Sequence, residues 1–383
     1  MAFAPLAGRR VLSLAQQLPG PYCGLLLAEM GAEVILVEQI PNGDPARIFP
    51  SLFSAVNRGK RSVAIDLKAP DGRAAFDRLV ASADAVLEGF RPGVAARLGI
   101  DHERLVAIRP GLVSCSISGY GQDGPASQLP GHDLSYQARA GAVSIDADGV
   151  VRENTLPVAD LASAMFAALA VLGALLEQAG PSACAAGRSF DISMTESVLS
   201  WNSVAIAGAQ AVGTRRLGGA VREPAYGVFS TADGWVTLSI AHEDHFWLAL
   251  CEALGRPELG ELRGDERRAR AGDLHDWIAS TLRLKPSEEW LGLLEPAGVA
   301  VGKVNDPAAT LHDPLFVARD AFVFEGATAG VRLPLRADGS PLPAGGPAPA
   351  VGADTRSCLL GAGLSGDEID ELAASGAVME ATP

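Results

Sequence analysis

The sequence predicts an α/β fold, with an open, doubly wound parallel sheet followed by a smaller α+β domain. Three observations support this prediction. Short apolar strands alternate with helices over roughly the first 120 residues, which is typical of a parallel sheet with helical crossovers. A β-hairpin pattern appears only later in the chain. At roughly 150 residues per domain, the 383 residues suffice for two domains or three.

The first strand–helix–strand unit occupies about thirty residues, the usual length of a βαβ unit. Residues 10–14 form a short apolar strand, and 16–21 form a loop rich in proline and glutamine. An amphipathic helix is predicted over 22–30, and Gly31 ends it where the chain needs a positive φ. The apolar run 33–38 then predicts a second strand, parallel to the first.

The same alternation continues through the next eighty residues. Strands are predicted over 62–67, 85–88 and 112–117, and a helix over 72–81. The loop after the first strand lacks the GxGxxG pattern of dinucleotide-binding sites. Nicotinamide chemistry therefore has no support in this sequence.

The chain beyond residue 150 changes from helices to a hairpin. Long helices are predicted over 160–177, with Asp160 at the start, and over 189–205. Residues 227–240 predict a β-hairpin around a tight turn. The three helices predicted after the hairpin cover 246–254, 274–282 and 287–294.

These elements predict four parts of the chain. A large domain covers 1–207, and a linker rich in glycine and alanine covers 208–222. A small domain covers 223–306. The last part, 307–383, is predicted to be a return segment that packs on the large domain.

Charge and cysteine content exclude several classes of protein. Lys and Arg number 31 against 45 Asp and Glu, and this net charge of −14 argues against a nucleic-acid partner. A small phosphate-bearing ligand is compatible with it, since a few local cations can hold one. Five scattered cysteines favour reduced thiols in the cytoplasm over disulfides or a metal site. The longest uncharged apolar stretch, 161–176, predicts a buried helix and no membrane span.

An ordered set of segments between about residue 8 and residue 200 carries a family resemblance. The set consists of residues 19–21 (PGP), 27–34 (LAEMGAEV), 57–62 (NRGKRS), 66–68 (DLK), 90–94 (FRPGV), 97–99 (RLG), 118–125 (SGYGQDGP) and 131–133 (GHD). With these segments the chain resembles the superfamily of family III CoA-transferases and α-methylacyl-CoA racemases. The resemblance implies an acyl-CoA enzyme with a large Rossmann-like domain and a smaller domain. It also implies a homodimer of two interlocked chains.

The resemblance gives Asp160 a catalytic role. Alone, an aspartate before an apolar helix predicts an N-cap. The superfamily carries a catalytic aspartate at this place: in the transferases it attacks the thioester and becomes an aspartyl-CoA intermediate, and in the racemases it transfers a proton. Both roles suit a carboxylate at a helix N-terminus, because the helix dipole favours the anion.

Two further residues match the racemases. His132 stands where they carry a second proton-transfer group, and Glu243, after the hairpin, stands where a glutamate supports that histidine. Racemisation at C2 needs two groups that flank one carbon, and an imidazole with a carboxylate can serve. Alone, His132 would be a structural hydrogen bonder. In the interlocked dimer, Glu243 and His132 of one site are expected to come from different chains.

Cations are expected to hold the CoA phosphates. Arg58, Lys60 and Arg61 place three positive charges in four residues of an acidic protein, and the alternative is a solvated surface turn. Arg91 follows a predicted strand at the edge where such sheets bind ligands, although it could equally form a structural ion pair. The resemblance favours CoA binding for all four.

The sequence therefore predicts a cytoplasmic enzyme that epimerises C2 of a 2-methylacyl-CoA, with His132 and Asp160 as acid and base and Glu243 as the orienting group. The runner-up is CoA transfer between carboxylic acids with Asp160 as nucleophile, and a non-catalytic acyl-CoA binder is third. Backbone N–H groups near Leu161 are expected to hold the enolate oxygen. No metal or redox cofactor is implied, and CoA enters only with the substrate. The glycine-rich loop of the transferases is not visible; its nearest candidate is 217–220.

Overall fold

The computed structural model describes residues 3–145, 150–181, 184–212, 223–325 and 328–381. The chain divides into two compact units, one of Met1–Val204 with Ala318–Pro383 and one of Ala205–Val317. The linker predicted over 208–222 is helical where it begins, because a helix covers Ser203–Val212. Four alanines in that helix favour the helical state despite one glycine. Residues 213–222, which include the glycine-loop candidate, lie outside the described part of the chain.

The larger unit alternates strands and helices. Its first part contains β1 (Arg10–Ser13), α1 (Pro19–Glu29), β2 (Glu33–Glu38), α2 (Pro50–Asn57), β3 (Arg61–Ile65), α3 (Pro70–Ala81), β4 (Ala85–Glu88), α4 (Val94–Leu98), α5 (His102–Ile108), β5 (Val113–Ser118), α6 (Asp133–Arg139), β6 (Ser144–Ile145), β7 (Val151–Arg152), α7 (Val158–Ala179), β8 (Arg188–Ser193), α8 (Met194–Trp201) and the beginning of α9 (Ser203–Val212).

The smaller unit follows, and the chain then returns. The smaller unit contains β9 (Tyr226–Ser230), β10 (Trp235–Ser239), α10 (Asp244–Ala253), α11 (Gly264–Ala269), α12 (Ala271–Leu282), α13 (Ser287–Leu294), β11 (Val301–Lys303), α14 (Pro307–Thr310) and α15 (Pro314–Ala318). The returning chain contains β12 (Phe322–Glu325), β13 (Thr328–Val331), β14 (Arg336–Ala337), β15 (Ser340–Pro341), α16 (Thr355–Gly361), α17 (Gly366–Ala374) and β16 (Val378–Met379).

A seven-stranded sheet forms the centre of the larger unit. The strand order is β16-β3-β2-β1-β4-β5-β8, and neighbours are parallel except for β16 with β3. The chain winds in one direction from β1 to β3 and in the other from β4 to β8. The carboxyl ends of β1 and β4 therefore flank the topological switch point, where sheets of this kind bind ligands. The predicted doubly wound parallel sheet is confirmed.

Two predicted element boundaries are wrong. The helix predicted over 189–205 begins only at Met194, because residues 188–193 form the edge strand β8. Ser193 ends that strand and caps α8, since its hydroxyl accepts a hydrogen bond from the Glu196 N–H. Helix α1 begins at Pro19 rather than at residue 22, because proline is well tolerated in the first helical turn.

Two apolar layers cover the two faces of the sheet. One contains Leu27 of α1 and Val171 of α7, both fully buried. The other contains Phe76 of α3 and Leu359 of α16, equally buried. Small residues such as Ala164 and Ala167 line the inner face of α7. They let this helix lie close against the sheet and α1.

The smaller unit has its own core under a three-stranded antiparallel sheet of order β11-β10-β9. Strands β9 and β10 pair as the hairpin that the sequence predicts. The core holds two buried tryptophans, and each indole N–H donates to a backbone carbonyl: Trp247 to Leu259 and Trp290 to Leu282, both at 2.7 Å. These bonds satisfy the polar atoms that burial would otherwise penalise.

Helix α7 departs from the buried helix that the sequence predicts. It is 22 residues long, and only half of its most apolar window is buried in the structure. By length and composition alone it could cross a membrane, a test that core helices of soluble proteins also pass. Met165, Leu169 and Leu176 are 44, 60 and 76% exposed. Their spacing places them on one helix face, so α7 carries an exposed apolar stripe.

Candidate active site

The candidate site begins where α6 meets the first turn of α7. The Asp133 carboxylate at the start of α6 accepts hydrogen bonds on Oδ1 from the Ala159 N–H at 2.7 Å and the Asp160 N–H at 3.2 Å. Asp133 thus caps α7 from another helix. The N-cap interpretation of Asp160 is wrong, because α7 begins at Val158 and Asp160 is its third residue. The Asp160 side chain therefore does not cap α7.

The Asp160 carboxyl lies in an unusual electrostatic environment. It is largely buried, and no described residue donates a hydrogen bond to it. Burial, together with the neighbouring Asp133 carboxylate, raises the pKa of Asp160 from 3.8 to about 7. At neutral pH this carboxyl is therefore divided between its protonated and ionised forms, as suits a nucleophile or a proton-transfer group.

The backbone N–H groups of the first turn of α7 all have protein partners. Those of Ala159 and Asp160 bind Asp133, the Leu161 N–H donates to the Pro157 carbonyl at 3.0 Å, and the Val158 N–H donates to Leu156 at 2.9 Å. The oxyanion donors predicted near Leu161 are therefore wrong. The helix uses these amides for its own first turn and for its cap.

Tyr136 lies beside Asp160 and was missed by the sequence analysis. Its hydroxyl donates to the Gly131 carbonyl at 2.6 Å, and its ring meets the Tyr120 ring edge-on with the centroids 5.1 Å apart. A Cβ on Gly119 or Gly131 would come within 2.7 Å of this side chain, so both positions require glycine. Burial raises the pKa of Tyr136, and the charges of Asp160 and Arg91 also act on it. Nothing in the sequence pattern marks this tyrosine except its place on the helix after His132.

His132 and Glu243 have different surroundings. His132 is the residue before α6, is exposed, and makes no side-chain hydrogen bond to the described residues. Since Asp133 follows it directly, His132 belongs to the same end of α7 as Asp160. Glu243 lies in the smaller unit, before α10, where its carboxylate accepts a hydrogen bond from the Ala241 N–H at 3.0 Å. The pairing of Glu243 with His132 stays a prediction.

Comparison with known proteins assigns the family. The family model of CoA-transferase family III matches residues 6–355 of the chain.

The chain belongs to CoA-transferase family III.

Curated relatives of this family III chain include transferases with several named substrates. The succinate–glutarate CoA-transferase of Agrobacterium fabrum is 33% identical over 382 residues, covering 91% of this chain and 93% of the relative. The acetyl-CoA:oxalate CoA-transferase of Acetobacter aceti is 32% identical and covers 86% of this chain and 87% of its own length.

Solved structures show the same fold. A CaiB/BaiF family protein from Brucella suis superposes with a TM-score of 0.84 at 28% identity, covering 94% of this chain and 99% of that one. Rv3272 from Mycobacterium tuberculosis superposes with a TM-score of 0.80 at 30% identity, covering 93% and 99%. The predicted family and fold are confirmed, and the chain is an acyl-CoA enzyme of family III.

Three of the four cations predicted to hold CoA have protein partners in this family III chain. Arg58 is buried, forms an ion pair with Glu29, and donates to the Ala55 and Val331 carbonyls. The Lys60 ammonium group donates to the Pro21 carbonyl at 2.6 Å and to Asn57 Oδ1 at 2.8 Å, and burial lowers its pKa to about 7. These contacts are structural and do not support phosphate binding by Arg58 or Lys60.

Arg61 also has protein partners, although it is less buried. Its guanidinium pairs with Glu33 at 2.6 Å and Asp354 at 3.2 Å and donates to the Ser357 hydroxyl. The segment 58–61 joins α2 to β3, so its cations point at neighbouring elements of the fold. The predicted phosphate contact of Arg61 is likewise unsupported by its contacts.

Arg91 has the surroundings expected of a ligand-binding cation. It follows the carboxyl end of β4 at the switch point, is exposed, and has no hydrogen-bond or ion-pair partner for its guanidinium among the described residues. Lys68 after β3 and Arg97 in α4 are equally exposed and, within the described ranges, equally unpaired. Sequence reasoning missed these two cations, although their places after predicted strands could have indicated them.

No metal centre is visible in the described part of the chain: no three His, Cys, Asp or Glu side chains lie close enough together to hold an ion.

Proposed function

We propose that this protein transfers CoA from an acyl-CoA donor to a second carboxylic acid, with Asp160 as the covalent nucleophile. The runner-up of the sequence analysis thus replaces racemisation as the main hypothesis. The names of the relatives support the proposal, since each names a transferase. The observation that carries it is the Asp160 carboxyl, which is largely buried, accepts no hydrogen bond from the described residues, and has a raised pKa.

The proposed reaction uses four substitution steps. An Asp160 carboxylate oxygen attacks the donor thioester carbon, the carbon–sulfur bond breaks, and the products are a mixed anhydride and free CoA thiolate. The thiolate then attacks the Asp160 carbonyl, which releases the donor acid and forms an aspartyl-CoA thioester. The acceptor carboxylate attacks this thioester and expels the CoA thiolate again. The thiolate finally attacks the acceptor acyl carbon of the second anhydride, so the new acyl-CoA leaves and the carboxylate is restored.

The environment of Asp160 favours its covalent forms. Burial and the Asp133 charge both disfavour an ionised Asp160. An anhydride or thioester at Asp160 is uncharged, so its formation removes this penalty. Because no described donor stabilises the carboxylate, its oxygen lone pairs are free to attack. The loss of charge on acylation is therefore part of the driving force for the first step.

One observation favours the racemase hypothesis. His132 is exposed, unpaired among the described residues and next to Asp133, so a second proton-transfer group is available at the site. Incubation with a 2-methylacyl-CoA in deuterated water, with and without a free carboxylic acid, separates the two reactions. Deuterium at C2 without an acceptor indicates epimerisation. A new thioester formed only with an acceptor indicates transfer.

The substrate class proposed is short dicarboxylic acids and their CoA thioesters. Relatives that are 32 to 34% identical are named for succinate, glutarate, oxalate, malate and citramalate. The direct test offers succinyl-CoA with glutarate, oxalate, malate or citramalate and measures the new thioester by mass spectrometry. Hydrolysis alone, with no thioester of any acceptor, would contradict the proposal.

CoA binding is expected to depend on Arg91. Replacing Arg91 with alanine should weaken CoA binding roughly 10- to 100-fold, because a charge-assisted hydrogen bond to a phosphate is lost. Arg78→Ala is the matched control, since Arg78 lies in the last turn of α3, at the opposite edge of the sheet, and donates to the Gly363 carbonyl. Calorimetric titration with free CoA measures both. Equal affinities of wild type and Arg91→Ala for CoA would mean that Arg91 does not bind a CoA phosphate.

We also propose that the protein assembles with a second copy of its own chain. The apolar stripe of Met165, Leu169 and Leu176 needs a cover that one chain does not supply, and the homodimer implied by the resemblance supplies one. Leu169→Arg should convert a dimer into monomers in analytical ultracentrifugation. Leu360→Arg, on α16 at the other face of the sheet, is the control and should stay dimeric. A monomeric wild type at micromolar concentration would contradict this proposal.

The cytoplasmic location stays a prediction.

A further inference from the structure

We propose that Asp133 is a positioning residue that holds a fixed negative charge against Asp160, so that acylation of Asp160 relieves a repulsion between the two carboxylates. The inference rests on the proposed transferase function for its consequence, whereas the coupling between the two carboxyl groups does not depend on that function.

The two carboxylates differ in their hydrogen bonds. Asp133 Oδ1 accepts from the Ala159 and Asp160 N–H groups, and Asp133 Oδ2 accepts from the Gln137 side-chain amide. Asp133 is also the first residue of α6, whose dipole favours an anion there. The Asp160 carboxyl has none of these donors among the described residues. The structure therefore stabilises the charge on Asp133 and leaves the charge on Asp160 without support.

A network of side-chain amides fixes the Asp133 side chain. Gln137 is fully buried, and besides its bond to Asp133 it donates to the Leu156 carbonyl at 3.3 Å. Its Oε1 accepts from Asn154 Nδ2 at 2.7 Å, and Asn154 also donates to the Ala142 carbonyl. This network ties α6 to the segment that leads into α7. Asp133 therefore cannot rotate away when the charge on Asp160 changes.

Asp133 is the charged group that acts on the Asp160 carboxyl. The other titratable groups on the elements that pack against α7 are Tyr22, Cys23 and Glu29 of α1, Cys115 of β5, Tyr136 and Arg139 of α6, Arg188 and Asp191 of β8 and Glu196 of α8, together with His132 before α6. Among these, Tyr136 interacts with Asp160, and Arg91, after β4, acts on Tyr136. Asp133 is thus the group to change.

The coupling has a measurable sign. Burial and the Asp133 charge raise the pKa of Asp160 to about 7, so removing that charge must lower the pKa of Asp160. A nucleophile has to be ionised, and transfer is therefore expected to rise with pH through the pKa of Asp160. Without the Asp133 charge this rise in activity should occur at lower pH. Acylation of an ionised Asp160 should then be less favourable, because there is no repulsion between the two carboxylates to relieve.

The test is Asp133→Asn, which keeps an oxygen acceptor for the Ala159 and Asp160 N–H groups but removes the charge and the acceptor for the Gln137 amide. The acidic limb of the kcat/KM profile should move to lower pH by on the order of one unit, and kcat at high pH should fall. Gln137→Met is the matched control. It also loses the hydrogen bond between residues 133 and 137 but keeps the Asp133 charge, so its acidic limb should not move to lower pH.

Direct titration of Asp160 separates this inference from the transferase proposal. Carbon-13 NMR of labelled aspartate, with the Asp160 signal identified by its absence in Asp160→Asn, follows the carboxyl without any substrate. A lower titration midpoint in Asp133→Asn supports the coupling even if the enzyme transfers no CoA. An unchanged midpoint in folded Asp133→Asn, or an equal decrease in Gln137→Met, overturns it.

Discussion

Asp160→Asn is expected to abolish CoA transfer, with a loss of at least about 10³-fold in kcat. The amide has nearly the shape of the carboxylate but is a poor nucleophile, so neither the anhydride nor the aspartyl-CoA thioester can form. Wild-type enzyme incubated with an acyl-CoA should gain the mass of a CoA adduct on the peptide that contains Asp160. Hydroxylamine should remove this adduct, and the asparagine variant should never acquire it.

Whether Asp160→Asn folds correctly can be checked by measuring its stability at a pH above the pKa of Asp160. The pKa of Asp160 is raised in the folded state, so its contribution to stability is complete at low pH and is lost as the pH rises through about 7. Asparagine carries no charge at any pH. Asp160→Asn should therefore be at least as stable as wild type at pH 8, as measured by urea unfolding. Lower stability there would mean that the loss of activity reflects damage to the fold.

His132→Ala completes the comparison of the two reactions. A transferase relies on the Asp160 carboxylate for covalent work, so the histidine variant should keep most of its kcat. A racemase would lose on the order of 10²- to 10⁴-fold, because one face of C2 would have no proton-transfer group. An inactive His132→Ala together with no adduct on wild-type Asp160 would reject the transferase proposal in favour of epimerisation.

Arg58→Ala is expected to destabilise the larger unit by about 3–5 kcal/mol. The side chains of Arg58 and Glu29 are only 7 and 3% exposed, so the substitution leaves a buried carboxylate without its cation. It also removes the donor to Val331, while the other Glu29 oxygen accepts from the Leu333 N–H. The pair thus attaches the returning chain to α1 and α2. Urea unfolding followed by circular dichroism measures the loss.

Two further variants test this interpretation. Arg61→Ala should cost less than about 1 kcal/mol, because the ion pairs of Arg61 are about one-third exposed. Glu29→Gln combined with Arg58→Met should recover part of the loss, since no charge is left buried and the glutamine still accepts from Leu333. Neither Arg58→Ala nor Arg61→Ala should change the affinity of folded protein for CoA. A weaker affinity in either variant would restore the prediction that these cations bind phosphate.

The strands of the first half could be predicted because local pattern decides them. Each is a short apolar run between turn residues, and strands buried on both faces by helices read in this way. β8 was mistaken for helix because it lies at the edge of the sheet and mixes polar with apolar residues. The strand β16 has only two residues, which is too short for a detectable pattern. It forms because the end of the chain packs beside β3, more than 300 residues earlier in the sequence.

The exposure of one face of α7 could not be predicted from the sequence either. Its apolar composition predicts burial, but the side of a helix that meets its own core depends on the neighbouring elements. Inner residues such as Ala164 are buried, whereas Leu169 on the other face is 60% exposed. Composition shows how much apolar surface exists, and packing shows how much one chain can cover.

The sequence alone predicted the doubly wound sheet and the family and singled out Asp160 as a candidate, because periodicity and ordered motifs are local properties of the chain. Only the tertiary structure decided the roles around Asp160. In the structure, Asp133 caps α7, the backbone N–H groups near Leu161 already donate to protein acceptors, and Arg58 forms an ion pair with Glu29. The Asp133 cap and the Arg58–Glu29 pair join residues whose distance in space depends on the packing of separate elements. The energy of a charge depends on such neighbours and on burial, and no sequence pattern records either.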